Sequence, residues 1–246
     1  MIYSLTDFVK NEVFMKKAFS KGIADGFPIG LGYLSVSFGF GILAANLNIS
    51  AFYAWLISAT NLTSAGQVAG VEVIASCGTL IEMAITLFII NLRYSLMGFS
   101  LTQKLDGSFS TGKRLLLSFG ITDEIFAVAV SQKGKISASY MAGLIVLPFL
   151  GWTGGTLLGS IASHLLPAFI TGAMGILLYG MFIAVFVPPA KKFRPILFTV
   201  LISAGVSVML KYLLPFISSG FAIIISALVG SCLCALLFPI HEEEEV

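Results

Sequence analysis

The chain has 246 residues, 57% of them hydrophobic and 11% charged, with a mean hydropathy of +0.99. Soluble domains carry roughly a quarter charged residues, so a water-soluble globule is excluded; at about 20 apolar residues per crossing, a polytopic membrane protein is predicted. The formal charge of +2, from 14 basic and 12 acidic residues, gives no reason to expect nucleic acid as a partner.

Residues 1–22 hold Lys10, Lys16, Lys17 and Lys21 but no apolar core of signal-peptide length. They are read as a cytoplasmic amphipathic segment, and no cleaved signal is expected. Apolar segments then follow at Ile23–Ala45, Ala51–Ala75, Thr79–Leu101, Leu115–Val130, Ile136–Leu158, Phe169–Val187, Ile196–Leu210 and Ser219–Leu237. Uninterrupted hydrophobicity at these lengths calls for helices, because barrel strands would be about 10 residues long and alternate in polarity. The predicted fold class is all-α: a polytopic helical membrane protein with about eight hydrophobic segments, some of them broken or re-entrant. Connections are short, so residues 23–240 are expected to form a single transmembrane domain, followed by the acidic tail 241–246. Cys77, Cys232 and Cys234 have no zinc-type spacing and are read as packing residues.

Basic residues near the segment ends set the orientation. If all eight segments cross, the N-terminal lysines, Lys133, Lys135, Lys191, Lys192 and Arg194 share one side, against Lys104, Lys113, Arg114 and Lys211. If the second and fourth segments enter and return on one side, only Lys211 is left outside. Both arrangements place both termini in the cytoplasm, and the choice between six and eight crossings stays open.

Charge at membrane depth is unfavourable by about 2.5 to 3.5 kcal/mol even on the gentlest scale, so each buried ionisable residue invites a functional reading. Asp25 lies near the start of its segment, at headgroup level. Glu72 and Glu82 flank the break at Ala75–Thr79. Glu82, Thr86 and Arg93 fall on one helical face, with Arg93 roughly 20 Å into its segment at about 1.5 Å per residue. A guanidinium there suits a carboxylate, from the protein or from a substrate. Asp123 and Glu124 are adjacent in a short segment. Either can face a wet cavity and carry a proton, or pair with Arg93, and Thr122 is placed to cap a half-helix starting there. Asn61, Thr63, Ser64, Gly66 and Gln67 form a polar, glycine-containing patch of the kind found where a spanning helix is broken beside a substrate. Gly22, Gly26 and Gly30 offer a flat face for close helix approach, with Pro28 beside them. The candidate substrate-binding residues are therefore Arg93, Asn91, Gln67, Ser64 and Asn61, and the candidate ion-coupling residues are Asp123, Glu124 and Glu82. No metal site, catalytic residue or cofactor is expected.

Four stretches resemble the AzlC type of bacterial branched-chain amino-acid permease: Pro28 to Gly41 (PIGLGYLSVSFGFG), Ser64 to Gln67 (SAGQ), Asn91 to Gly98 (NLRYSLMG) and Thr122 to Ala127 (TDEIFA). The resemblance covers about Gly22 to Val187. It implies a multi-pass protein of the cell (inner) membrane that exports branched-chain or similar hydrophobic amino acids together with a small AzlD-type membrane subunit. The absence of a GxxxxGK[ST] loop agrees with a secondary transporter rather than an ATPase. A channel or structural membrane subunit is the competing class. An intramembrane enzyme ranks behind both, because His164 is the sole histidine in the apolar region and His241-Glu242 does not continue into HExxH.

Overall fold

The computed structural model describes residues 5–163, 165–167, 169, 173, 180, 183 and 187–239, with side chains from residue 12 onward, Ser219 apart. Among these residues the chain is helical throughout, and its only strand-like feature is an isolated bridge between Leu105 and Ile136. The elements are α1 (Leu5–Asn46), α2 (Ala51–Thr60), α3 (Ser64–Ala75), α4 (Leu80–Thr102), α5 (Thr111–Ser118), α6 (Asp123–Ser131), α7 (Ala138–Ala162), α8 (Arg194–Leu213) and α9 (Ser219–Leu237). Five of the described helices are long and apolar enough to cross a membrane: the Glu12–Asn46 part of α1, α4, α7, α8, and Gly220–Leu237 of α9. Two of the eight expected segments are instead pairs of short helices, α2 with α3 and α5 with α6. The sixth, Phe169–Val187, falls mostly outside the described residues, as do His164 and the acidic tail.

Contacts group the chain into two compact units, Met1–Gln67 with Ile90–Leu178, and Val68–Ile89 with Tyr179–Val246. The first is organised by α1 and α7, which pack together along most of the α7 length. Residue numbers rise together along the contact, so the two helices run parallel: Gly22 meets Tyr140 and Leu144, Gly30 meets Leu147, and Gly41 meets Thr156 and Ser160. The expected glycine face on α1 is thus a packing surface, and α7 answers with Gly143, Gly151, Gly155 and Gly159. A Cβ at Gly22 would sit 2.2 Å from the Tyr140 carbonyl oxygen, and one at Gly159 would sit 2.0 Å from that of Phe38. Backbone therefore lies on backbone, close enough for the Ser160 hydroxyl to donate to the Gly41 carbonyl at 3.0 Å.

The α5–α6 hairpin leaves from and returns to one end of this pair. Asp106 N–H donates to the Ile136 carbonyl at 3.0 Å and Ile136 N–H to the Lys104 carbonyl at 2.8 Å. Lys104 Nζ donates to the carbonyls of Val130 and Gln132, the second at 2.7 Å. The Ser108 hydroxyl accepts from Ala138 N–H at 2.8 Å. Gln132 also reaches α1, accepting from Lys21 and donating to Asp25 at 3.3 Å, while the Tyr140 hydroxyl donates to Asp25 at 2.7 Å. Asp25, read as a headgroup-level acid, thus ties α1 to α7 and to the α6 exit. Beneath the hairpin, Leu101, Phe109, Ile125, Ala129, Met141 and Leu144 form a buried apolar cluster.

In the second unit α8 and α9 are antiparallel neighbours, in contact where Gly230 meets Ser203 and where Phe198 stacks on Phe238. Of the cysteines, Cys234 is buried in α9; Cys77 and Cys232 are exposed and so do not pack a core.

Adjacent glycines of α7 test the backbone contact. A Cβ at Gly155 would lie 2.1 Å from Ser37 Oγ and 2.4 Å from the Leu34 carbonyl oxygen, whereas one at Gly154 meets nothing within 4 Å. Gly155→Ala should lower unfolding stability by about 1–3 kcal/mol, as overpacking does. Gly154→Ala should leave it unchanged or slightly raised, since alanine is the better helix former. Thermal unfolding of the two purified variants in detergent checks the contrast, and equal melting temperatures would contradict it.

Candidate functional site

Both interrupted segments break at polar residues. In the first, α2 ends at Thr60, residues 61–63 are non-helical, and α3 begins at Ser64. In the second, residues 119–122 separate α5 from α6, and the Thr122 hydroxyl caps α6 by accepting from Ile125 N–H at 3.4 Å, as its sequence position predicts. Non-helical backbone at membrane depth is tolerated only inside protein or along a wet cavity. Both breaks meet that condition at one level of the α1–α7 pair, marked by Tyr33 and Trp152.

Gln67 in the first turn of α3 is fully buried, with both ends of its amide in use. Its Nε2 donates to Ser58 on α2 at 2.7 Å, and its Oε1 accepts from the Trp152 indole at 2.6 Å. Ser58 in turn bonds Thr156 on α7 at 2.7 Å. In this conformation Gln67 ties α2 and the first turn of α3 to α7. The Trp152 ring meets that of Tyr33 edge to face at a centroid distance of 5.2 Å. The Tyr33 hydroxyl lies 2.7 Å from Thr122 Oγ1 and donates to the Glu124 carboxylate. Beside Glu124, Asp123 forms an ion pair with Arg93 of α4, Oδ2 to Nη1 at 2.8 Å. Arg93 also donates from Nη2 to the Tyr94 hydroxyl at 3.1 Å and lies over that ring, 4.9 Å from its centroid. A continuous path of polar and aromatic contacts therefore runs from Ser58 through Gln67, Trp152, Tyr33, Glu124 and Asp123 to Arg93.

Two features make this region a site rather than only a brace. The Arg93 and Asp123 side chains are 40% and 36% exposed, so neighbouring protein does not seal the pair. Near the start of α3, the oxygens Thr63 Oγ1 and Asn91 Oδ1 are buried with no hydrogen-bond partner, on either side of Gly66, where a Cβ would sit 2.2 Å from the Thr63 hydroxyl. An acceptor in that state needs a donor or a cation.

Of the residues expected from sequence, Gln67, Asn91, Arg93, Asp123 and Glu124 belong to this region, and Ser64 starts the helix within it. Asn61 follows α2, and among the described residues its side chain makes no hydrogen bond. Glu82 is placed elsewhere, in the second unit. It is buried there and accepts from the Ser218 hydroxyl and from Gly220 N–H at 3.2 Å, at the start of α9. Tyr33 and Trp152 are residues of this region that the sequence analysis does not pick out. Tyr33 lies within the PIGLGYLSVSFGFG stretch, but nothing in the helical period of Trp152 separates it from its apolar neighbours. No group of His, Cys, Asp and Glu side chains able to hold a metal occurs among the described residues.

A family match described as AzlC protein spans residues 28–166 and so contains every residue of this path. The chain belongs to the AzlC family. It is 26% identical to the inner membrane protein YgaZ of Escherichia coli K12 over 89% of its own length and 90% of that protein. It is 31% identical to an uncharacterized membrane protein of Archaeoglobus fulgidus, over 87% of this chain and 93% of the other. An uncharacterized membrane protein of Helicobacter pylori is 28% identical over 71% of this chain and 78% of the other. No solved structure matches. This AzlC-family chain is thus a helical membrane protein similar to its relatives over most of their length.

The Gln67 brace carries its own test. Gln67→Leu leaves the Trp152 indole N–H without its acceptor in a dry setting, a loss of about 1–3 kcal/mol. The variant should melt earlier in detergent, and an unchanged melting temperature would show that the amide does not hold the hairpin.

Proposed function

We propose that this AzlC-family protein is a secondary transporter that exports branched-chain or similar hydrophobic amino acids. The observation that carries the reading is the partly exposed Arg93, set between two helix breaks and partnered by one carboxylate. An amino-acid carboxylate loses water on entering such a site, and a guanidinium offsets that loss with charge-assisted hydrogen bonds. The positive end of α3 favours the same charge. Thr63 and Asn91, whose oxygens lack donors, suit the ammonium group. The branched-chain preference and a small AzlD-type second subunit are part of this proposal, as the resemblance of the four sequence stretches implies them. Asp123 or Glu124 carries the coupling proton.

The same reading sets the topology. The second and fourth apolar segments re-enter rather than cross, and both termini face the cytoplasm of the inner membrane. Support comes from the hydrogen bonds that gather the start and end of the α5–α6 hairpin beside Lys21 and Lys104, a basic cluster of the kind retained inside. A cysteine at exposed Gly107, in a background lacking the native three, should be labelled from the cytoplasmic side alone. Labelling from the opposite side would restore crossing segments.

Leucine efflux from loaded vesicles, with and without a proton gradient, tests the activity. Arg93→Gln should lose most of it, by roughly 2 to 5 kcal/mol in substrate binding if the carboxylate is left unpaired. Normal efflux by correctly inserted Arg93→Gln protein would remove the arginine from the site. The observed ion pair also favours a second reading, in which Arg93 only holds the fold. In that case Arg93→Gln lowers membrane abundance, and adding Asp123→Asn restores it.

A further inference from the structure

Arg93 is the one guanidinium on the path, and its partner in the structure is a carboxylate of the protein itself. We propose that Asp123 occupies the place of the substrate carboxylate, so that substrate binding exchanges one carboxylate for the other at Arg93 and transfers a proton to Asp123. The proposal rests on the reading of Arg93 as the receiver of an α-carboxylate and deepens it. It identifies which of the two acids takes the proton, and it makes that proton a consequence of substrate binding.

The geometry separates the two acids. Glu124 faces α1, where the Tyr33 hydroxyl donates to its carboxylate and Thr122 stands 2.7 Å from that hydroxyl. Asp123 faces α4, where Arg93 is its ion-pair partner and the Tyr94 hydroxyl is committed to the same guanidinium. From α7 the nearby aromatic is Trp152, whose indole N–H is spent on Gln67. The only ionisable group of α7 is Tyr140, held by Asp25. Among the described residues, then, Arg93 alone offers positive charge to Asp123. A substrate carboxylate that takes Arg93 leaves Asp123 half-buried beside the Glu124 carboxyl group, without its cation and with another anion newly arrived. Two like charges so placed favour uptake of a proton by the one that has lost its partner. Glu124 has the Tyr33 hydroxyl as its donor and no share in Arg93.

The linkage has a definite sign. At high pH ionised Asp123 competes with the substrate for Arg93, whereas at low pH protonated Asp123 does not. Substrate and proton therefore assist each other reciprocally, so the two leave together and the outward gradient of the amino acid drives the export. Asparagine at this position imitates the protonated acid and should fix the protein in its high-affinity condition. A residue that simply contacted substrate would behave in the opposite way, since its removal weakens binding.

The experiment measures leucine binding to purified protein in nanodiscs between pH 6 and 8, with proton uptake followed by a dye in weak buffer. Wild-type affinity should rise as pH falls, with close to one proton taken up per leucine. Asp123→Asn should bind leucine about five- to tenfold more tightly than wild type at pH 8, the worth of a partly exposed competing ion pair, with no pH slope and no uptake. Glu124→Gln should keep the slope, whatever its affinity. Asp123→Asn protein that binds no tighter, or that still takes up a proton, overturns the exchange. If that variant does not insert, the wild-type count decides, and leucine binding without proton uptake overturns it equally. The carboxylate 4-methylpentanoate, which has leucine's branched chain but no ammonium group, separates this proposal from the substrate reading. Proton-linked binding of 4-methylpentanoate without binding of leucine would sustain the exchange and end the amino-acid reading, whereas failure of both ligands to bind would end the two together.

Discussion

Contact of backbone on backbone between α1 and α7 is the constraint on which the rest of the first unit depends. Lipid tails are as apolar as leucine side chains, so helices in a bilayer gain little from hiding apolar surface against each other and associate where they can approach closely. Gly22, Gly30 and Gly41 on one helix and Gly143, Gly151 and Gly159 on the other permit that approach. Because the two helices are parallel and in register, they also bring Tyr33 and Trp152 face to edge. Those two rings are the fixed point to which both hairpins attach, Gln67 through the indole and Glu124 through the phenol.

The breaks in the hairpins follow from the same arrangement. Ending a helix inside an apolar segment exposes backbone groups that lipid cannot satisfy. Here the polar residues at each break do part of that work. Thr122 receives an N–H of α6, and Gln67 ties α3 to both Ser58 and the indole. Asp123 and Glu124 then lie in the first turn of α6, where the helix dipole favours negative charge. Two carboxylates in an apolar segment are accounted for by one helix end, one phenol and one guanidinium.

Features local in the sequence were legible, and features joining distant residues were not. The four-residue glycine spacing on α1 marked a packing face, the polar run Asn61 to Gln67 marked a break, and Thr122 marked a cap. Each depends on residues within one or two turns. The glycines of α7 repeat every four residues at Gly151, Gly155 and Gly159, a spacing that marks a packing face without saying which helix it meets. Pairing of Arg93 with Asp123 remained one of two alternatives, and the bond from Tyr33 to Glu124 spans 91 residues, a separation on which helical period is silent. The helical wheel groups Glu82 with Arg93 on one face of α4. Eleven residues return to the same face, but at 1.5 Å per residue they are about 16 Å apart along the axis, too far for both to touch one small solute. The carboxylate of Glu82 meets Ser218 and Gly220 instead.

Whether an ion pair in a membrane protein acts as a strut or as a switch turns on its solvation. A fully dry pair is held by strong attraction in low dielectric, and removing either partner leaves a buried charge that is strongly destabilising. A fully wet surface pair is worth at most about 1 kcal/mol and specifies little. Arg93 and Asp123 lie between these limits, each roughly two-fifths exposed. The attraction is then strong enough to hold Arg93 in place when no solute is present, and partial exposure keeps the separated state within reach. Tyr94 contributes to the same balance. Its ring and hydroxyl retain hold of the guanidinium independently of Asp123, so Arg93 does not have to move when the carboxylate beside it changes identity. A fixed cation facing an interchangeable anion is the arrangement in which a proton and a carboxylate solute can be made to depend on one another without any further moving part.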